Sequence, residues 1–208
     1  MNRLDNFINE CDIALKTLSF KKSGTGRSYP ANKTSSSLSK EEKSLSAQLM
    51  RVNLAGEVAA QALYRGQAMV CKDAEIKNHL VQAGEEETDH LIWCKKRLEE
   101  LNGKPSILNP VWYAGSFAIG AIFGSFGEKT SLGFVEETEK QVVKHLEKHL
   151  DKVSKNDTET IEILKTMRAD EDEHAQEAVE NGSESLSEPT KKVMSFTAKV
   201  MTSSSAYI

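Results

Sequence analysis

Residues 85–90 read EEETDH and residues 171–174 read EDEH. Each stretch holds a Glu three residues before a His, Glu87 with His90 and Glu171 with His174. Residues three apart on an α-helix share one face about one turn apart, so each pair can address a single ion. The chain has only five histidines, and a solubilising charge patch needs no such spacing. What separates a site from solvated charge is the company each pair keeps on its helix face.

That company is apolar. Leu80, Ala83, Glu87, His90, Cys94, Leu98 and Leu101 recur in steps of three and four, which predicts a helix over about 75–102 with the pair inside its inner stripe. Asn102-Gly103, with Pro105 behind it, supplies the stop signal. A helix over about 158–181 repeats the arrangement with Leu164, Met167, Glu171, His174 and Ala178. A third, about 132–153, shows Val135, Glu139, Val142, Leu146 and Leu150, and one beginning near Ser44 carries Leu54, Glu57, Gln61, Tyr64 and Ala68. On the 132–153 helix, spacing leaves Glu136, Glu137 and Glu139 open as the inward acid. A buried, unpaired carboxylate is expensive unless it is neutralised or ion-bound. Glu57 precedes Glu87 by 30 residues and Glu139 precedes Glu171 by 32. Two helix pairs, each giving Glu and then Glu-x-x-His, build an approximately twofold, all-α four-helix bundle. Four carboxylates and two imidazoles can hold two divalent first-row metals with coordination positions left open. Oxygen and nitrogen donors argue against a closed, Cys-rich structural zinc site and for iron or manganese.

A chain of 208 residues suffices for one sizeable core. The formal charge of -4 is uneven: residues 13–40 hold six Lys or Arg and no acid, and residues 189–208 hold three Lys and no acid. With -2 over residues 1–12, this leaves -11 on residues 41–188. An acidic body excludes nucleic acid as the partner and suits a binder of cations. Cys11, Cys71 and Cys94 lack metal or redox spacing and read as free thiols in a reducing compartment. The first twelve residues have no apolar signal-peptide region, so cytoplasmic residence is expected.

Leu4, Phe7, Ile8, Cys11, Leu15 and Leu18 predict a short amphipathic helix over 3–18, and KKSGTGRSYPANKTSSSLS, residues 21–39, a flexible basic linker. The expected division is 1–43 and a metal-binding domain over 44–208. Between the two halves of that domain, residues 109–127 carry no charge and four glycines, with a G-x-x-x-G over 120–124. A single span there would put the two halves of one site on opposite sides of a membrane. The stretch is therefore expected to lie in or dip into one leaflet, or to cover a lipid-filled groove, with Phe117 and Phe123 toward lipid and the basic chain ends attracted to anionic headgroups. His145 is expected to support a ligand or substrate, and Tyr64 to be a core aromatic. His79 and His149 read as exposed, without a role.

With these residues assembled, the chain resembles the demethoxyubiquinone hydroxylase family of ubiquinone biosynthesis in its bacterial form. The resemblance rests on LMRVN..GEV.AQALYRGQ (49–67), EE.DHL.WC..RL.EL (86–101), LNPVWYAGSFA.GA (108–121), SLGFV.ETE.QV..HL..HL (131–150) and MR.DE..HA (167–175). It implies a ferritin-like bundle with an added apolar helical segment. It implies as well a site of two iron ions per chain (Fe2+/Fe3+) held by Glu57, Glu87, His90, Glu139, Glu171 and His174. The pattern E-x-x-V-x-x-H selects Glu139 from its neighbours and makes His145 its companion. NLAGE at 53–57 departs from the family's N-H-T-G-E. The implied reaction is ring hydroxylation of a polyprenylated demethoxyubiquinol, with dioxygen as co-substrate. It would take place at the cytoplasmic face of the cell membrane, by a peripheral protein touching membrane lipid. The resemblance leaves room for a homo-oligomer or an accessory ubiquinone-biosynthesis protein. The competing classes are an iron-storage or ferroxidase bundle and a membrane-surface scaffold with a structural metal.

Overall fold

The inner stripes need one another as cover, and the computed structural model shows how they meet. It describes residues 3–32 and 37–208; Leu4 and Phe7 of the first expected stripe, and residues 33–36 of the linker, lie outside the described residues and side chains. Among the described residues the elements are helices α1 (Arg3–Leu18), α2 (Lys40–Val70), α3 (Ala74–Glu100), α4 (Asn109–Ser125), α5 (Glu128–Lys152), α6 (Thr158–Glu180) and α7 (Glu188–Ser205). Short connections make α2–α3 and α5–α6 two hairpins, which pack into a ferritin-like four-helix bundle. Met50, Leu54, Leu91, Leu98, Leu146, Ile163, Leu164 and Met167 fill its core.

Local signals set the ends. Ser39 and Glu42 form a capping box at α2, and Asp73 and Asp157 cap α3 and α6. The second helix of each hairpin stops in the same way. Asn102 (φ 58°) and Gly182 (φ 90°) take left-handed backbone, and the next residues, Gly103 and Ser183, donate to Leu98 and Ala178 carbonyls at 2.8 and 3.0 Å. Buried Arg97 locks α3 to the start of α6, donating to Asp157 at 2.7 Å, Glu159 at 2.5 Å and Thr160 at 2.9 Å.

Three parts of the chain differ from expectation. Helix α1 forms over the expected residues but turns another face inward. Thr17, Ala14 and Leu18 pack against the bundle, while Ile8 and Leu15 are exposed. Polar contacts set this rotation: Thr17 Oγ1 donates to Gln61 Oε1 at 3.0 Å, and Arg65 pairs with Glu10. Residues 21–32 are irregular, as expected of a linker, yet they are fastened to α3 and α6 rather than free. Helix α7 was not anticipated. Only Ser205 in it is buried; Lys191, Met194, Ala198 and Met201 are half-buried on the same face, a stripe of mixed polarity, and Ser187 and Pro189 are good start signals. It is pinned where Trp112 Nε1 donates to Ser205 Oγ at 3.0 Å and Arg51 to the Ala206 carbonyl at 2.9 Å.

Helix α4 lies on α2 at glycine contacts. A Cβ at Gly120 would stand 2.2 Å from the Leu63 carbonyl oxygen, and one at Gly66 would stand 2.2 Å from that of Phe117. The G-x-x-x-G of α4 therefore seats its backbone on α2. Among the described residues no helix is long and apolar enough to cross a membrane. Gly66→Ala or Gly120→Ala should each cost about 1–3 kcal/mol, because backbone must give way. Gly115→Ala, which meets open space, should be neutral or stabilise by about 0.5–1 kcal/mol. Chemical denaturation midpoints of the three variants check the contrast.

Candidate metal centre

Each bundle helix delivers its inward acid to one buried cluster. Glu57 from α2, Glu87 and His90 from α3, and Glu171 from α6 each offer a ligand atom within 4.8 Å of the others. His90 Nδ1 stands 3.1 Å from Glu87 Oε2, 3.1 Å from Glu171 Oε1 and 3.7 Å from Glu57 Oε2. His174 Nδ1 faces the same carboxylates from the other side, at 3.1 Å from Glu87 Oε1 and 3.4 Å from Glu171 Oε2. Glu87 and Glu171 thus lie between the two imidazoles. Glu139 from α5 is equally buried and accepts a hydrogen bond from Tyr64 Oη at 2.7 Å. Its neighbours point elsewhere: Glu136 pairs with Lys140 and Ser183, and Glu137 with Gln141 and Lys191.

The far nitrogens of the two imidazoles are held crosswise. His90 Nε2 on α3 meets Asp170 of α6 at 2.8 Å, and His174 Nε2 on α6 meets Glu86 of α3 at 3.0 Å. Each orienting acid immediately precedes the inward Glu of its own helix. This fixes both rings with Nδ1 toward the centre, an arrangement typical of metal-ligating histidines. Spacing alone did not reveal these two acids; their signal was the doubled acid in E-E-x-x-H and D-E-x-x-H.

The donor set fits a cation. Glu87 Oε1, Glu171 Oε2 and His174 Nδ1 are buried without a hydrogen-bond partner, although all face the common centre. Burial, with the charges of Glu87 and Glu171, pushes the carboxyls of Glu57 and Glu139 well above their ordinary range. Burial opposes charge on His90 and His174, yet the surrounding carboxylates outweigh it and raise both imidazoles. For Glu87 the same contest holds its carboxyl below the usual range. The directions agree: the site disfavours negative charge on two of its carboxyls and favours positive charge on both imidazoles, as a cluster short of positive charge requires. Cys94 lies nearby, but burial pushes its thiol up, and Sγ donates to Met167 Sδ at 3.6 Å.

One side of the cluster opens into a cavity of about 800 Å³ between α2, α4, α5 and α7. Glu57, Glu139 and Glu171 face it; its walls include Leu63, Ile119, Phe123, Phe134, Val142 and Met194. Val111 and Val193 line it and remain exposed, so they mark its mouth. Phe123 therefore lies in the cavity wall, 4.2 Å from the Phe134 ring, and Phe117 packs on the core. The exposed large apolar residues of this stretch are Val111, Ile122 and Phe126.

Comparison with known proteins shows the family. The family described as "Ubiquinone biosynthesis protein COQ7" matches residues 44–205. The chain is 50% identical to the "3-demethoxyubiquinol 3-hydroxylase" of Legionella pneumophila (strain Lens), over 99% of this chain and 97% of that protein. It is 49% identical to the protein of that name from Francisella philomiragia, over 96% and 94% of the two chains. With that of Nitrosococcus oceani it shares 46% identity over 100% and 98%.

His145 lines the cavity, and behind it sits His149, with ring centroids 4.0 Å apart. His149 is buried rather than exposed, because Val142, His145, Leu146, His149 and Val153 continue one inward stripe. Burial and the nearby Lys148 and Lys152 bring His145 down to about 4; burial, His145 and Lys152 bring His149 down to about 3. Unfolded histidine titrates near 6.5, so between these limits the unfolded chain holds the extra protons. Their contribution to stability is complete above pH ~6.5 and is lost as pH falls. His149→Leu should lower the slope of stability against pH between 5 and 6.5 by about 1.4 kcal/mol per unit, one proton's worth. Urea unfolding across that range measures it.

Proposed function

The chain belongs to the family of ubiquinone biosynthesis protein COQ7, and from that premise we propose that it hydroxylates the ring of a polyprenylated demethoxyubiquinol with dioxygen. The observation that carries this reading is the apolar cavity that ends on Glu57, Glu139 and Glu171. A storage bundle or a structural metal site has no use for an apolar pocket of that size opening onto its ligands. Glu57, Glu87, His90, Glu139, Glu171 and His174 would hold two irons, with Glu87 and Glu171 between them. Bound there, iron supplies the dioxygen chemistry that side chains lack. One oxygen atom enters a ring C–H bond and the other leaves as water, which requires two electrons and two protons from outside the chain.

The protein's own groups place the ring. Apolar walls exclude water and receive the start of the isoprenoid tail, while the rest leaves past Val111 and Val193. His145 Nε2 is buried without a partner. Being neutral at physiological pH, it would accept a hydrogen bond from a quinol hydroxyl and orient the ring toward the carboxylates. Tyr64 holds Glu139 from behind. The exposed apolar residues of α4 and α7, among them Ile122, Phe126, Phe196 and Val200, would rest in one leaflet. Lys191, Lys192 and Lys199 would meet anionic headgroups. This makes the protein peripheral, on the cytoplasmic face of the cell membrane.

The direct test is anaerobic iron loading, addition of dioxygen and demethoxyubiquinol, and mass analysis of the quinone. A gain of one oxygen is expected; iron oxidation without it would favour a ferroxidase. Glu87→Ala and Glu171→Ala should each lower bound iron and abolish turnover, whereas full iron occupancy in both would remove them from the site. The membrane reading is tested by Ile122→Glu with Phe126→Glu, which lie outside the cavity wall. Inserting two carboxylates into lipid costs several kcal/mol. The double variant should therefore release from vesicles and lose activity on a long-tailed quinol, while a tail-less analogue is spared. Equal losses on both substrates, with vesicle binding unchanged, would refute it.

A further inference from the structure

The two imidazoles are oriented crosswise by Asp170 and Glu86, but these two acids are not supported alike. Asp170 is gripped by a fork from outside the bundle. Arg27 Nη1 lies 2.8 Å from Asp170 Oδ2, and Arg27 Nη2 donates to Oδ1 at 3.0 Å. The same Oδ2 meets His90 Nε2 at 2.8 Å. Glu86 has no such fork: besides His174 it accepts only from Gln82, at 3.1 Å, among the described residues, and it meets the Arg27 charge only at longer range. It is also about twice as exposed as Asp170, at 31% against 16%.

Arg27 is not a stray surface cation, because the segment that carries it is built onto α3. Thr25 N donates to Asp89 Oδ1 at 3.0 Å, and Thr25 Oγ1 donates to the other oxygen of that carboxylate. Gly24 passes so close that a Cβ there would stand 2.0 Å from Asp89 Oδ1. The Arg27 guanidinium lies 4.9 Å from the Trp93 ring centroid, and that ring is 5.3 Å from His90. Tyr29 donates to Glu100 at 3.3 Å, and Ala31 joins the core. Asp89 and His90 are adjacent, so the strap fixes one turn of α3 at its outer face and the ligand ring through Asp170.

We infer that Arg27 is a positioning residue for one half of the metal site, acting through Asp170 on His90, so that residues 24–27 belong functionally to the centre. The inference rests on the reading that the six buried groups hold two metals. A bidentate guanidinium–carboxylate pair removes a rotational choice from Asp170. Asp170 in turn fixes the His90 ring and raises its basicity as a ligand. The His174 half receives no equivalent support. The two metal positions therefore differ in rigidity although their ligands are matched.

The test is stepwise cobalt(II) titration of the metal-free full chain, followed by calorimetry and by cobalt absorption. The native protein should bind two ions. Arg27→Ala should weaken one step about tenfold, at the low end for loss of an outer partner, and leave the other within about twofold. Arg27→Lys keeps the charge but loses the fork, and should fall between. Gly24→Ala pushes the strap from α3 without touching the arginine, and should weaken the same step. Glu86→Gln should weaken the opposite one. Equal weakening of both steps by Arg27→Ala, or no change in either, would overturn the inference while leaving the metal reading intact. A native chain that binds no cobalt would overturn the metal reading and this inference with it. A folding defect would show as a lower melting temperature of the metal-free Arg27→Ala and Arg27→Lys proteins with both steps equally affected, which counts against the proposal.

Discussion

Four carboxylates and two imidazoles are taken out of water at the centre of this bundle, and that desolvation is the constraint on which the rest depends. Each buried ion costs several kcal/mol unless opposite charge answers it at close range. Six polar groups dispersed through an apolar core would unfold the chain; gathered so that each faces another, they become a site. The helices that carry them are thereby fixed in rotation, since a turn of one helix by a single residue would aim its Glu at leucines. The crosswise pairs, Asp170 with His90 and Glu86 with His174, extend the same logic outward by one layer. The apolar core around Met50, Leu54, Leu98 and Ile163 supplies the driving force that the polar cluster cannot.

Helix α4 solves a different problem. A cavity that opens onto buried carboxylates needs a wall that contributes no charge and can stand well away from α5 on one side. Glycine contacts allow this. Because Gly66, Gly120 and Gly124 bring the backbones of α2 and α4 together, α4 is held backbone to backbone along its α2 edge, and meets α5 and α7 through side chains such as Phe123 and Trp112. Space remains between it, α5 and α7. The lack of any charge in residues 109–127 thus has two consequences: an apolar wall facing inward and an apolar row facing outward. Phe123 and Phe126 divide the two roles, one in the wall and one on the outside, with rings in edge contact at 5.9 Å.

The bundle and most of the cluster were legible in the sequence because both follow from a single periodicity. Inward acids in apolar stripes mark themselves. What escaped depends on contacts that periodicity does not encode. Spacing alone leaves Glu136 and Glu137 open beside Glu139; the resemblance selects Glu139, and the physical reason lies in Ser183 and Lys191, far along the chain, which engage the other two. Arg27 finds Asp170 across 143 positions, so a polar, glycine-bearing stretch reads as linker however well it is fastened. Helix α7 hides for another reason: its inward face, Lys191, Met194, Ala198, Met201 and Ser205, mixes polar with apolar residues and is mostly half-buried, so its stripe is faint. His149 was within reach, since it continues the stripe of Val142 and Leu146; on a basic helix end it simply resembled solvated charge.

The distribution of ligands around the cluster also divides its labour. Glu57, Glu139 and Glu171 come from α2, α5 and α6 and border the cavity, whereas Glu87, His90 and His174 do not. Helix α3 contributes nothing to the cavity wall; its outer face is covered by the strap that carries Thr25 and Arg27. On the proposed reading, a ring entering past Val111 and Val193 would meet His145 and the carboxylates of Glu57, Glu139 and Glu171, and not the imidazoles of His90 and His174, whose orientation is fixed by a second hydrogen bond. The apolar cavity reaches the cluster from this side, so the proposed reaction would take place where carboxylates, rather than the two buttressed imidazoles, line the approach.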